Sequence, residues 1–163
     1  MNIKELNIIK QAILNEVEGY EFYKMAAAHS TEGETRDAFL ELAEEEKKHI
    51  DWIKGFFEKV QSGKEDEFTL RLIGNVDSPR IFRWEALDRD SAEKAISVFG
   101  IALQMEKASK EYYEAAAMNT ELKVARDLYK QLAYWENKHY DDFYNQYEKL
   151  KEQWWADQEY APF

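Results

Sequence analysis

Apolar residues recur at steps of three and four along four stretches of the chain. Leu6, Ile9, Ile13, Tyr20, Tyr23 and Ala27 form the first stripe, and Phe39, Leu42, Ile53, Phe56 and Val60 the second. Ile96, Phe99, Leu103, Tyr113 and Ala117 form the third, and Tyr129, Leu132, Phe143 and Leu150 the fourth. This period predicts four amphipathic helices whose stripes face a common core. The expected spans are about Ile3 to His29, from after Ser30-Thr31-Glu32-Gly33 to about Ser62-Gly63, from Asp90-Ser91 to about Met118, and from Asn119-Thr120 to about Lys151. Asp90-Ser91-Ala92-Glu93 reads as a capping box for the third helix.

Each stripe is interrupted near its middle by a carboxylate: Glu16, Glu46, Glu106 and Glu136. Two also carry a histidine three residues on, His49 and His139. Glu16 and Glu46 are 30 residues apart, as are Glu106 and Glu136, with a helix break midway in each case. At about 1.5 Å per residue, fifteen residues along one helix and fifteen back along the next return to the same height. Glu46/His49 and Glu136/His139 each share one helix face. All six side chains can therefore meet in one layer of a bundle.

A shift of 90 positions lays the second half of the chain on the first. Arg36-Asp37, Leu42-Ala43, Glu46, Lys48-His49 and Asp51 recur as Arg126-Asp127, Leu132-Ala133, Glu136, Lys138-His139 and Asp141, eight identities in sixteen positions. Glu16, Tyr23, Ala26 and Ala27 match Glu106, Tyr113, Ala116 and Ala117. The chain reads as a duplicated helix hairpin with a pseudo-twofold relation, and residues 1–163 are expected to form one domain. Between the hairpins, roughly Glu65 to Arg89 forms a long connection with its own apolar residues. It can return along the bundle as a crossover, or pass a helix pair to a second subunit in a swapped dimer. A short C-terminal segment rich in aromatics follows, with Trp154, Trp155, Tyr160 and Phe163.

Composition narrows the chemistry. The chain has no cysteine, which excludes disulfides, thiolate catalysis and thiolate-ligated metal within it. The net charge is 22 − 33 = −11, which disfavours nucleic acid and anionic membranes as partners. The start lacks a secretory pattern and no apolar run reaches membrane-spanning length, so a cytoplasmic protein is expected.

Most glutamates of so charged a chain belong to solvated faces, and Glu18, Glu41, Glu44 and Glu45 are assigned there. The six layer residues resist that assignment. Four buried carboxylates would each cost several kcal/mol unpaired, the stripes hold no arginine, and Lys110 is their only cation. Two divalent ions neutralise four carboxylates and two neutral imidazoles. One Glu from each of two helices and Glu-x-x-His from the other two is the ligand plan of di-iron and di-manganese bundles. Oxygen and imidazole ligands without sulfur suit iron or manganese, with zinc also accommodated. Tyr23 and Tyr113, two turns beyond Glu16 and Glu106, either orient ligand carboxylates through their hydroxyls or fill the core. Trp52, Tyr134, Trp135 and Tyr140 flank the ligand positions and either pass electrons or, as the preferred reading, only pack.

Glu16-Val17-Glu18-Gly19-Tyr20-Glu21-Phe22-Tyr23, Glu44-Glu45-Glu46-Lys47-Lys48-His49, Met105-Glu106 through Tyr112-Tyr113, and Trp135-Glu136-Asn137-Lys138-His139 resemble the four ligand helices of the rubrerythrin branch of the ferritin-like superfamily. The resemblance covers about residues 5–60 and 92–150. It implies a ferritin-like four-helix bundle with two iron ions. It also implies reduction of hydrogen peroxide or O₂, a cytoplasmic location and a homodimer. Rubrerythrins usually carry a rubredoxin domain as electron source; without cysteines this chain would need an external donor protein. Their additional ligand glutamate on the third helix is replaced here by Ser109, leaving six ligands, closer to bacterioferritin-type centres. Two other readings stand beside the oxidoreductase: an iron-binding, ferroxidase-like protein for Fe²⁺ uptake or storage, and a bundle that serves only as a structural or partner-binding module.

Overall fold

The computed structural model describes residues 2–30, 33–68 and 92–158. Four helices account for most of them: α1 (Ile3–His29), α2 (Glu34–Gln61), α3 (Ala92–Asn119) and α4 (Lys123–Asp157). Among the described residues there is no strand, and one 3₁₀ turn at Glu65–Glu67 follows α2. Most of the long connection, Asp90-Ser91 of the capping box, and Tyr160 and Phe163 lie outside the described residues.

Local chemistry sets several of the helix ends. The Asn2 side chain accepts from the Glu5 backbone N–H at 3.1 Å and caps α1. α2 stops in a Schellman arrangement. Gly63 adopts φ 68°, the Lys64 N–H donates to the Lys59 carbonyl at 2.8 Å, and the Gly63 N–H donates to that of Val60 at 3.2 Å. α4 runs six residues past the expected end at Lys151, to Asp157, so Trp154 and Trp155 belong to the helix. The apolar stripe gives out near Leu150, but the following residues still form helix, with Lys151 donating to Glu148 at 2.7 Å.

The helices form a ferritin-like four-helix bundle in which α1 packs closely on α2 and α3 on α4. Contacts between the hairpins give their directions. Glu5 meets Thr120 while Tyr23 meets Glu106, so α1 and α3 are antiparallel. His139 meets Glu45 while Trp135 meets His49, so α2 and α4 are antiparallel as well. α2 and α3 therefore point the same way, and the chain from Gln61 to Ala92 joins opposite ends of the bundle. A twofold operation perpendicular to the helices exchanges the hairpins, as the 90-residue shift requires.

The core falls into two apolar clusters. One gathers Ile9, Phe56, Leu128, Leu132, Tyr113 and Tyr129 with their neighbours. The other gathers Phe39, Leu42, Phe99, Phe143 and Tyr23 with theirs. Alanines at 12, 26, 27, 102, 116 and 117 are buried and allow the backbones to approach closely. Equivalent positions differ at the two ends. Phe39 stacks in one cluster, while its counterpart Tyr129 donates to the buried Glu5 carboxylate at 2.5 Å. Thr120 donates to the other Glu5 oxygen at 2.6 Å, which ties the start of α1 to the turn between α3 and α4.

Tyr129→Phe should leave one buried oxygen of Glu5 without its donor, at a cost of about 1–3 kcal/mol. The expected outcome is a lower Tm, by about 2–4 °C per kcal/mol for a chain of this size, read by calorimetry of the full chain. An unchanged Tm would show that Glu5 does not depend on this hydroxyl.

Candidate metal centre

Between the two apolar clusters lies a polar layer made of the six residues that interrupt the stripes. Glu16, Glu46, His49, Glu106, Glu136 and His139 are each 2–4 % exposed. One chain brings all six together. His49 Nδ1 lies 3.1 Å from Glu16, 3.5 Å from Glu46 and 3.4 Å from Glu136. His139 Nδ1 lies 3.5 Å from Glu106 and 4.0 Å from Glu46. Two sets of donor atoms result, each within 4.8 Å of one another: Glu16, Glu46, His49, Glu136, and Glu46, Glu106, Glu136, His139. Glu46 and Glu136 belong to both sets.

The layer fits metal on its own chemistry. Glu106 Oε2, Glu136 Oε1 and His139 Nδ1 are buried and lack a hydrogen-bond partner, though they face one another across the layer. Buried polar atoms are almost always satisfied, so three orphans aimed into one space mark a place for a cation. Lys110 does not supply it, because its ammonium donates to Asn137 at 2.8 Å. Gly19 lies beside the Glu46 carboxyl group, where a Cβ would sit in ordinary contact at 3.4 Å. Ser109 occupies the equivalent position on α3 and is only partly buried.

The charges of the layer shift one another's proton affinities. Burial pushes Glu46 well up, reinforced by the Glu16 and Glu136 charges. Glu136 is raised by burial and by Glu106 and Glu16. Burial also acts against Glu16, but a hydrogen bond with Glu46 and the His49 charge hold it down to about 2. Burial acts against Glu106 too, but the His139 charge together with its neighbours Glu136 and Tyr23 holds it below its usual range. Burial would lower His49, yet the Glu16 charge and hydrogen bond raise it to about 9. His139 rises well above its usual value as Glu106 overcomes its burial.

Two tyrosines clamp the layer across the hairpins. Tyr23 donates to Glu106 and Tyr113 donates to Glu16. Each thus reaches the carboxylate of the opposite hairpin rather than the one two turns back on its own helix. Burial, then the charges of Glu106 and Glu16 respectively, raise both phenols well above their ordinary value. They remain protonated donors at neutral pH.

One expected surface residue is misplaced by the sequence reading. Glu45 is 5 % exposed and accepts from His139 Nε2 at 2.7 Å. Glu18, Glu41 and Glu44 are exposed as expected. The 90-residue shift carried a signal for Glu45, because its counterpart is the bulky Trp135. Trp135 stacks on the His49 ring at 5.1 Å, and Trp52 lies 5.5 Å from the same ring. Tyr140 is partly buried, and Tyr134 is 56 % exposed.

A four-helix bundle with a buried layer of Glu and His donor atoms, two of the carboxylates common to both Glu/His sets, defines the class of helical-bundle proteins able to hold metal. The sequence pattern of the family described as Rubrerythrin matches residues 7–150. The chain belongs to the rubrerythrin family. A solved structure of a hypothetical protein from Pyrococcus furiosus is similar in fold, with a TM-score of 0.70 and 22 % identity over 93 % of each chain. No curated protein matches the sequence. Among the described residues, no helix is long and apolar enough to cross a membrane.

Metal binding to this layer should expel protons. His49, raised to about 9, is protonated throughout the neutral range, and a metal ion needs its free lone pair. Apparent Mn²⁺ affinity should therefore fall as pH drops from about 8 to about 6, by about tenfold per pH unit for each proton displaced. Calorimetric titration in two buffers of different protonation heat reads the proton count directly. A heat independent of buffer would contradict this proton release.

Proposed function

We propose that the protein is a non-haem di-iron oxidoreductase that reduces hydrogen peroxide or O₂ with electrons from an external donor protein. The observation that carries this reading is the sharing of Glu46 and Glu136 between two buried ligand sets, each completed by one further Glu and one His. Glu16 and His49 would complete one iron position, and Glu106 and His139 the other. Mixed carboxylate and imidazole donors suit iron, and manganese or zinc share the same preferences. An iron pair held there supplies two electrons to the oxidant.

The chain's own residues do the rest. Four carboxylates balance the charge of two divalent ions, so the reduced site is neutral in a low-dielectric core. Tyr23 and Tyr113 hold Glu106 and Glu16 from the opposite hairpin, which restricts how those carboxylates turn. Phe39, Phe99 and Phe143 on one side and the Ile9, Phe56 and Leu132 cluster on the other keep bulk water out. Every ligand is nearly inaccessible to solvent, which favours an oxidant of a few atoms over a bulky substrate. Ser109 leaves the second position without an additional carboxylate, so these six ligands must serve both oxidation states.

Anaerobic protein loaded with two Fe²⁺ per chain, mixed with hydrogen peroxide or O₂ in a stopped-flow spectrometer, tests the proposal. Peroxide is expected to oxidise the site stoichiometrically and at least about tenfold faster than O₂, a barrier difference of about 1.4 kcal/mol. Faster oxidation by O₂, followed by loss of iron, would replace this reading with ferroxidase-like uptake. Failure to bind two Fe²⁺ would overturn the metal reading itself.

A further inference from the structure

The duplicated hairpins supply each metal position with the same ligands: one Glu, one His and the shared pair Glu46 and Glu136. Any difference between the positions must come from what stands behind those ligands. Behind His139, the Glu45 carboxylate sits 2.7 Å from Nε2, and its own Oε1 is buried without a partner. Asp142, partly buried, interacts electrostatically with the same imidazole. Behind His49, the equivalents of Glu45 and Asp142 are Trp135 and Trp52, whose rings lie 5.1 and 5.5 Å from the imidazole. The two indoles also pack on each other at 5.0 Å. One half of the layer is backed by the Glu45 carboxylate, and the other by two neutral aromatic rings.

This difference acts on metal in one direction. By accepting from Nε2, Glu45 fixes the His139 tautomer that leaves the Nδ1 lone pair facing the layer. It also makes that nitrogen a better donor and adds negative charge where the dielectric is low. An indole face does none of these. We propose that the two metal positions are unequal: the Glu106/His139 position fills first and holds its ion more tightly, and the Glu16/His49 position fills second and exchanges. Glu45 is the positioning residue that sets the order. The inference rests on the dinuclear metal reading and adds to it a sequence of loading.

Mn²⁺ titration of the full chain by calorimetry should show two steps, separated by about 10–100-fold in affinity, the range typical for loss of such a partner. Crystals grown with one equivalent of Mn²⁺ should show the anomalous signal beside Glu106 and His139. This measurement needs no variant. Glu45→Gln keeps the shape and a carbonyl acceptor but removes the charge, so the two constants should converge while the total stays at two. Trp135→Phe keeps a neutral ring and should leave the order unchanged. Circular dichroism and Tm establish that each variant is folded. An anomalous signal at Glu16/His49 first, equal filling of both positions, or unchanged constants in folded Glu45→Gln would each overturn the inference while leaving the dinuclear reading intact. If neither Mn²⁺ nor Fe²⁺ binds, the dinuclear reading fails and this inference falls with it.

Discussion

Four carboxylates and two imidazoles share one buried layer halfway along the bundle, and much else in the molecule answers to that concentration of charge. The one lysine on the apolar stripes, Lys110, turns outward to Asn137 instead of neutralising it. Burial and mutual repulsion push Glu46 and Glu136 up, while the two histidines are raised and Glu16 and Glu106 held down by one another's charge. Such an arrangement contributes little to folding compared with a packed apolar layer. Its residues are better explained by what they can hold than by the stability they add.

The rest of the core is organised around this layer. The apolar clusters on either side each send one tyrosine to a carboxylate of the opposite hairpin, so the layer is braced from both ends. Farther out, the Glu5, Thr120 and Tyr129 network pins one end of α1 to the second hairpin. The hairpins therefore meet through polar contacts at the layer and toward the start of α1, and through apolar packing around them.

The four helices and the layer were legible because both rest on periodicity. A stripe at steps of three and four fixes which residues face inward, and a spacing of 30 about a break fixes their common height. Glu45 was not legible by that route. It adjoins Glu46 in a run of three glutamates, a quarter-turn off the stripe, and its burial depends on His139 arriving from another helix. Glu5 was hidden for a similar reason: an acidic residue in the first turn of a helix usually faces water and favours the dipole. Its two hydroxyl partners come from the second hairpin, Thr120 in the turn after α3 and Tyr129 on α4. The end of α4 was misjudged because the stripe stops before the helix does.

The pairing of Glu45 with Trp135 at one duplicated position has a consequence for how such a fold can evolve. Two identical hairpins associating as separate chains would form a bundle whose halves obey strict symmetry, so any substitution would change both sides together. Joining them in one polypeptide removes that constraint. Each copy can then drift on its own, and a carboxylate on one side can face an indole on the other. In a duplicated bundle, a link between α2 and α3 is what allows the two halves to differ.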